Sequence, residues 1–442
     1  EIPYLDGVFC EKQVTDVHPN LSRGTVSGTA SFQIENITGT EQMVAFAINP
    51  GYEVNSVQAN GQPVPFEIDN YQESNMALLN VTIPDLESID LCFDYQGFPQ
   101  DWNLMETMQG KPEISSKYLC LENQTLAPMI MNVGTADGLF SSITDITLPD
   151  TMTVIPFGLA EAKKEVEHDN GTITWRIEDT GTGGILYAGD YVRQDIDAAG
   201  TSIQFYYGRK HHPIMEEANA AEAIQTVMEY CSSHYGVPSF SSLDSLKLIQ
   251  GRVAGGGYAV SGASLMDEQD FTAQNLHNSE KGGIPGEVMI HELVHQWWGL
   301  GAMFDVSQPD SAWSAEGLTV YTTYRIIKEL YGEAYAKENY IDQWKTAVDD
   351  YYHNFYIRNP QYLEALPEEK RLDISNQLSN MRYYNEMPLK ILKAEELVGG
   401  EEAMDLILYQ LFNRDVDPMY PYLTEQEFLN ACGLTEEDLN LD

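Results

Sequence analysis

Residues 291–299 read HELVHQWWG, and this stretch constrains the fold more than any other. It contains the pattern H-E-x-x-H. Side chains four residues apart lie on one face of an α-helix, so a helix here would direct the imidazoles of His291 and His295 at one metal ion. The apolar flanks, VMI and QWWG, predict a largely buried helix over 285–301. Two unpaired histidines and a glutamate would be costly in such a helix without a metal.

The donor types indicate zinc. Zn²⁺ is commonly bound by imidazole nitrogen, and a catalytic site uses three protein ligands and keeps one position open. The third ligand is expected downstream, where WSAEGLTVY (313–321) opens a long helix with Glu316 in its first turn. The alternative is that Glu316 only caps this helix, because a carboxylate is favoured at a helix N-terminus. We therefore predict one zinc ion, held by His291, His295 and Glu316.

Glu292 is predicted to do chemistry beside this metal. It follows His291 directly, so it cannot easily bind the ion together with both histidines. It can reach a water on the metal, and a carboxylate in that place acts as a general base.

The pattern of the whole chain predicts an α+β protein of more than one domain. The first part alternates apolar and polar residues between turn signals, as an antiparallel sandwich or saddle does. The predicted strands are 25–37, 41–49, 76–84, 171–179 and 201–209. Helical periodicity follows. The predicted helices, besides 285–301, are 214–236, most of 314–357, and 380–400. The predicted domains are residues 1–207, rich in β-structure, and 208–442.

Composition excludes several classes of partner. The 68 acidic and 24 basic side chains give a formal charge of −44, which repels nucleic acid and anionic lipid head groups. No apolar run approaches the ~20 residues needed to cross a bilayer. The first residue is Glu1 rather than Met, so we expect a piece cut from a longer, membrane-anchored protein that is extracellular or on the cell surface. The 5 scattered cysteines predict no disulfide framework, although one or two isolated bridges stay open.

Two motifs together resemble a known family. VMIHELVHQWWG followed by WSAEGLTVYTTY is similar to the aminopeptidase N and leukotriene hydrolase family of zinc metallopeptidases, which are gluzincins. The resemblance covers most of residues 206–400 and implies a thermolysin-like catalytic domain that hydrolyses peptide bonds. It also implies that His291, His295 and Glu316 bind zinc and that Glu292 is the general base. The spacing between His295 and Glu316 is two residues longer than is usual, and we place the extra length in the loop 304–311.

The resemblance also implies a catalytic tyrosine. The family carries a Tyr-x-Lys-Gly helix start after the third ligand, and RYYNEMPLKIL lies in that place here. Tyr384 aligns best, with Asn385, Glu386 and Met387 in place of the usual Glu-Lys-Gly, and Tyr383 is the alternative. A phenol directed at a developing oxyanion stabilises the charge that forms there.

One family motif is altered. The family's G-x-M-E-N motif aligns with GGYAVSGASL (256–265), and its glutamate, which binds the free α-amine of the substrate, falls on Ala259. Gly256, Gly257, Tyr258 and Ala259 are still expected to bind substrate, because glycines let a peptide approach an exposed strand edge. A flexible strand with a bulge is the alternative. Three other acids are candidates for holding the amine: Glu122, Asp267 and Glu268.

We therefore predict a zinc-dependent peptidase that acts on short peptides, aminopeptidase-like, with altered recognition of the N-terminus. The alternative is a non-catalytic, zinc-stabilised peptide-binding or sensor domain of a larger membrane-anchored protein. A structural site would require neither Glu292 nor Tyr384, and this argues against the alternative.

Overall fold

The structure is a computed structural model, and it describes residues 2–71, 76–100, 113–181, 184–237, 245–252, 256–272, 276, 286–305 and 312–441. The chain divides into two compact units, residues 1–192 with 207–209 and residues 193–206 with 210–442. The predicted α+β class, with a β-rich N-terminal part, is confirmed. The domain limit between residues 207 and 208 stays a prediction.

The first unit is built from strands. They are β1 (Val8–Asn20), β2 (Thr25–Asn36), β3 (Gln42–Ile48), β4 (Tyr52–Ala59), β5 (Gln62–Pro63), β6 (Phe66–Tyr71), β7 (Met76–Ile83), β8 (Ser88–Gly97), β9 (Glu113–Ile114), β10 (Tyr118–Glu122), β11 (Met129–Ile130), β12 (Ser141–Pro149), β13 (Thr153–Pro156), β14 (Ala162–Glu167), β15 (Thr172–Asp179) and β16 (Ile185–Gly189). Three sheets form, in the orders β14-β15-β12-β1-β2-β8-β4-β5, β13-β16-β10-β9 and β11-β3-β7-β6.

The core of the first unit lies between sheets. Phe32 of β2 and Phe93 of β8 come from one sheet and Phe46 of β3 from another, and their ring centroids lie 4.7–5.8 Å apart. All three side chains are buried, which follows from the alternation of apolar and polar residues along each strand. β1 and β12 pair in parallel, which the predicted antiparallel sandwich or saddle did not include.

The sheet of the second unit places an edge strand beside the candidate site. Its strands are β17 (Tyr191–Ala198), β18 (Thr201–Gly208), β19 (Ser245–Gly251), β20 (Gly257–Val260) and β21 (Ala263–Asp267), and two short strands follow, β22 (Trp298–Gly299) and β23 (Ala302–Met303). The order is β17-β18-β19-β21-β20. β18, β19 and β21 run parallel, whereas β20 pairs antiparallel with β21 and ends the sheet.

Helices make up most of the rest of this unit. They are α1 (His212–Ala218), α2 (Ala220–Tyr235), α3 (Glu287–Val294), α4 (Leu318–Tyr331), α5 (Glu333–Ala336), α6 (Asp342–His353), α7 (Phe355–Arg358), α8 (Pro360–Glu364), α9 (Glu368–Met381), α10 (Met387–Val398), α11 (Glu401–Phe412) and α12 (Glu425–Cys432). Within the described ranges, no helix has the length and apolar character needed to span a membrane.

Two predicted helices differ from the observed ones. The helix predicted over 285–301 is wrong beyond His295, whose N–H still bonds to the carbonyl of His291. The chain turns there because Trp297 and Trp298 are both fully buried and Gly299 adopts a positive φ of 95°. The helix predicted over 214–236 is interrupted at Asn219, whose φ of 51° is left-handed and separates α1 from α2.

Candidate metal centre

Two imidazoles project from the C-terminal half of α3. His291 lies in the last turn of α3, and His295 is the residue that directly follows the end of the helix. The two histidines are therefore one helical turn apart. Their Nε2 atoms are 3.1 Å apart. Four apolar residues of α3 are fully buried and fix the helix in the core: Met289, Ile290, Leu293 and Val294. The helix is thus anchored by packing while the two imidazoles meet on one face.

Glu316 reaches the same point from a second element. It lies in a π-helical turn, Trp313–Gly317, that leads into α4. Its Oε2 atom is 3.1 Å from Nε2 of His291 and 3.5 Å from Nε2 of His295. All three donor atoms lie within 4.8 Å of one another. The structure therefore brings together the three residues that the sequence predicts as metal ligands.

The spacing of these donors fits a zinc ion. In a tetrahedral site with metal–ligand bonds of about 2.0–2.1 Å, neighbouring donor atoms are roughly 3.3–3.5 Å apart. The observed separations of 3.1–3.5 Å are close to that range. Two imidazole nitrogens and one carboxylate oxygen are also a donor set that catalytic zinc sites use. The residues present therefore fit a zinc ion with one position left open.

The ring of His295 is held by a second layer of contacts. Its Nδ1 lies 3.0 Å from the carbonyl oxygen of Trp298 and 3.2 Å from the hydroxyl of Thr319. A carbonyl oxygen can only accept, so Nδ1 of His295 donates. In the neutral ring this leaves the lone pair on Nε2, and such contacts fix both the tautomer and the orientation of a metal-binding histidine.

The three donors form an ion-paired cluster. Burial opposes ionisation of Glu316, but the charges and hydrogen bonds of His295 and His291 outweigh it and hold the pKa of this carboxyl well below its usual range. Burial opposes protonation of His295, but the Glu316 charge and hydrogen bond raise the pKa of His295 to about 9. A zinc ion that binds here must displace the proton of His295, because only the neutral imidazole offers the lone pair of Nε2, while the ionised Glu316 supplies the negative charge.

Glu292 lies beside this cluster, on the side that faces β20, the edge strand of the sheet. It is 6% exposed, and burial raises the pKa of its carboxyl while the nearby histidines oppose the rise. A Cβ built on Gly257 of β20 would lie 2.4 Å from Cγ of Glu292, so the two residues are in close contact. The hydroxyl of Ser264 also donates to the backbone carbonyl of Glu292 at 2.7 Å. Glu292 thus lies between the metal donors and β20.

This contact leads to a prediction for Gly257. In a Gly257→Ala variant the new Cβ would also lie 2.6 Å from the carbonyl oxygen of Leu265, so either the strand or Glu292 must move. If Glu292 is the general base that the sequence predicts, a shift of about 1 Å there can cost on the order of 100-fold in rate, and we expect kcat to fall by roughly tenfold to a hundredfold. The measurement is peptide turnover at equal metal content. Gly158→Ala is the control, because an added Cβ there meets nothing within 4 Å.

The other predicted substrate-binding residues lie along the same strand. Gly256 precedes β20, and its N–H donates to Oδ2 of Asp270 at 3.0 Å. Side chains alternate along a strand, so Ala259 lies on the same face as Gly257, towards α3, and Tyr258 on the other face. Ala259 is paired across the hairpin with Ser264. The structure therefore places a methyl group, and no carboxylate, at the second residue after Gly257.

The sequence interpretation missed Gln296, which joins α3 to this hairpin. Gln296 is 1% exposed. Its side chain accepts from the N–H of Gly262 at 3.0 Å and donates to the carbonyl of Val260 at 2.8 Å. It therefore fixes the end of β20 relative to the helix that carries the metal donors. A polar residue directly after H-E-x-x-H, in an otherwise apolar flank, is the signal that could have indicated it.

Tyr384 reaches the metal donors, and it too lies in a π-helical turn, Arg382–Glu386. Its ring centroid is 6.1 Å from that of His291, and its hydroxyl lies near enough to Glu316 for that carboxylate to affect its pKa. Burial and the charges of Glu316 and Glu292 raise the pKa of Tyr384, so the phenol stays protonated. The alternative, Tyr383, is half-buried in the same turn.

The three acids considered as substitutes for the family's glutamate have different surroundings. Glu122 ends β10 in the first unit, is buried, and has a pKa raised by burial. Glu268 forms ion pairs with Arg252, at 2.6 Å, and with Lys210. Asp267 is buried and accepts the N–H of Gln269 at 3.3 Å. Glu268 is therefore already neutralised by two cations.

Part of the predicted longer loop, residues 306–311, lies outside the described residues.

Comparisons with known proteins find partial similarity to aminopeptidases, although no family model matches the chain. Leucine aminopeptidase 2 of Emericella nidulans is 30% identical over 116 residues, which are 26% of this chain and 18% of that protein. Probable aminopeptidase 1 of Sulfurisphaera tokodaii is 21% identical over 394 residues, 87% of this chain and 45% of that protein. The chain thus spans less than half the length of these curated relatives.

Solved structures show the same fold. An M1 zinc metallopeptidase from Deinococcus radiodurans superposes with a TM-score of 0.56 at 16% identity, covering 99% of this chain and 93% of that one. Yeast leukotriene A4 hydrolase in complex with bestatin superposes with a TM-score of 0.58 at 14% identity, covering 96% and 64%. The fold is that of two-domain M1 zinc metallopeptidases, and the resemblance to the aminopeptidase N and leukotriene hydrolase family is confirmed.

Proposed function

We propose that this chain is a zinc-dependent peptidase of the aminopeptidase type, with altered recognition of the substrate N-terminus. The observation that carries the proposal is the position of Glu292. It lies beside the donors His291, His295 and Glu316 and directly against Gly257 of an edge strand. A proton acceptor, a metal site and a surface for an extended peptide therefore meet at one point.

The edge strand supplies the binding surface. β20 hydrogen-bonds on one side to β21, and a peptide can add to its other side through backbone hydrogen bonds. Gly257 keeps the strand close to Glu292, since any side chain there would collide with it. A peptide bound in this way lies extended along β20, with one peptide bond beside the metal donors.

Glu292 and Tyr384 would divide the chemistry. One Zn²⁺ ion, held by His291, His295 and Glu316, would supply Lewis acidity, lowering the pKa of a bound water and polarising the scissile carbonyl. Glu292 accepts a proton from the attacking water at its carboxylate and returns it to the amine nitrogen as the C–N bond breaks. Burial raises the pKa of Glu292, which suits a carboxyl group that must both take and return a proton. The Tyr384 hydroxyl donates to the oxygen that gains negative charge.

Altered N-terminus recognition is inferred from Ala259. In the family that this chain resembles, a glutamate at this position binds the free α-amine, whereas the methyl group of Ala259 cannot. Glu268 is held by Arg252 and Lys210, so it does not offer a free charge to an amine. We therefore infer that a peptide with a blocked N-terminus is accepted as well as a free one.

The test is a paired digestion with zinc-loaded protein. One peptide has a free N-terminus, the other is the same sequence acetylated, and mass spectrometry identifies the products. We expect both to be cleaved. Stepwise loss from the free peptide alone would keep the peptidase but contradict the altered recognition. Cleavage of neither would favour the alternative, a non-catalytic, zinc-stabilised peptide-binding domain.

A substitution at Ala259 gives a second, independent prediction. Ala259→Glu places a carboxylate on the face of β20 towards α3, where an α-ammonium group would approach. A charge-assisted hydrogen bond contributes about 1.5–3 kcal/mol, so we expect kcat/KM for free-amine peptides to rise roughly tenfold to a hundredfold. The acetylated peptide is the control and should gain nothing. No gain with the free peptide would show that the amine is already held elsewhere.

A further inference from the structure

A buried carboxylate lies two residues after Tyr384 and has no part in the chemistry described above. Glu386 ends the π-helical turn Arg382–Glu386 and is 4% exposed. A buried charge is costly unless it is paired and hydrogen-bonded. Here both oxygens have a partner: Oε1 accepts from the hydroxyl of Tyr352, and Oε2 accepts from Nε of Arg382 at 3.3 Å.

These contacts hold the turn from two directions. Arg382 and Glu386 are the first and last residues of the turn, so their ion pair closes it. Tyr352 belongs to α6, a separate helix, and ties the turn to it. The backbone carbonyl of Tyr352 is itself held by Nε of Arg358 at 2.9 Å. Burial and the bond to Glu386 raise the pKa of Tyr352 to about 12, so this hydroxyl stays protonated and donates.

The turn also adjoins the one that carries Glu316. A Cβ on Gly317, the residue after Glu316, would lie 3.0 Å from Cβ of Met387, the residue after Glu386. The two π-helical turns therefore pack closely. Tyr384 itself is 38% exposed, so packing around its ring restrains it less than a buried side chain would be restrained. Besides its contacts with His291 and Glu316, the position of Tyr384 depends on the backbone of its turn.

We propose that Glu386, held by Tyr352 and Arg382, is a positioning residue that fixes the turn of Tyr384 so that its hydroxyl meets the reacting oxygen. This proposal rests on the proposed function. It also accounts for a departure from the family pattern, because Glu386 stands where the resembled motif has lysine. The charge is reversed, and the partners of the new charge, a hydroxyl from α6 and an arginine, are both present.

The test is a double-mutant cycle on kcat. Tyr352→Phe removes one hydroxyl and keeps the ring, and we expect kcat to fall about tenfold with KM within twofold, since misplacing a catalytic group costs rate. In a Tyr384→Phe background the same substitution should cost nothing further, because there is no hydroxyl left to position. Glu386→Gln, which keeps one acceptor oxygen, should lose less kcat than Glu386→Leu. Tyr420→Phe is the matched control, since it also removes a hydroxyl bond to a carboxylate, Asp305, at 2.9 Å.

A spectroscopic readout separates this proposal from the proposed function. With 3-fluorotyrosine at position 384, we expect one sharp fluorine resonance in the otherwise unchanged protein and a shifted or broadened one in Tyr352→Phe. An unchanged resonance, or equal losses of kcat in both backgrounds, would overturn the positioning role while leaving the peptidase intact. Absence of turnover in the unchanged protein, with the resonance still responding to Tyr352→Phe, would overturn the proposed function and keep the positioning contact.

Discussion

Glu292→Gln is expected to lower kcat for peptide hydrolysis by a factor of about 10²–10⁴, which is the range that a general base contributes. The amide is nearly the same size as the carboxylate and fits the same buried space against Gly257. It cannot accept the proton of the attacking water. Because Glu292 is not one of the three clustered donors, zinc content should stay at the level of the unchanged protein.

The measurement pairs turnover with metal analysis on the same sample. Glu396→Gln is the control, since it makes the same chemical change on an exposed face of α10 and should leave kcat unchanged. Full activity in Glu292→Gln would exclude Glu292 as the proton acceptor. Loss of zinc together with activity would contradict the assignment in another way, because it would make Glu292 part of the metal site.

The metal site shows which features sequence can predict. His291 and His295 are predicted because helical spacing alone brings residues four apart together. Glu316 is 21 positions after His295, and no local rule places it beside the histidines. Its prediction depends on the helix start around it and on the resemblance. The structure adds that Glu316 and Tyr384 both lie in π-helical turns, which periodicity in a sequence does not reveal.

Residues that act through tertiary contacts are where sequence reasoning falls short. Gln296 binds backbone groups at 260 and 262, and Glu386 binds the side chain of Tyr352, 34 positions away. Both side chains are polar and buried, but their burial can be recognised only once the structure is known. The end of α3 is a similar case, because its apolar pattern continues past His295 while packing of two tryptophans and the positive φ of Gly299 turn the chain away.

Arg325→Ala is expected to destabilise the second unit by about 3–5 kcal/mol, the usual cost of removing one partner from a buried ion pair. Arg325 lies on α4, and its side chain is 5% exposed. Its Nη1 is 3.4 Å from Oε2 of Glu395 on α10, and its Nη2 is 3.1 Å from Oδ2 of Asp405 on α11. The substitution would leave the buried Glu395 and the partly buried Asp405 without their cation, and it would remove the guanidinium that joins the three helices.

The free energy of unfolding of Arg325→Ala is to be compared with that of Arg193→Ala in the same unit. Arg193 pairs with Asp195 on the surface, where the two side chains are 45% and 52% exposed, and such pairs contribute less than about 1 kcal/mol. Equal stability of the two variants would contradict the role of the buried network.

Arg325→Ala should also weaken zinc binding, because α4 starts directly after the turn that carries Glu316. A variant that is destabilised yet binds zinc normally would show that this turn is held by its own packing.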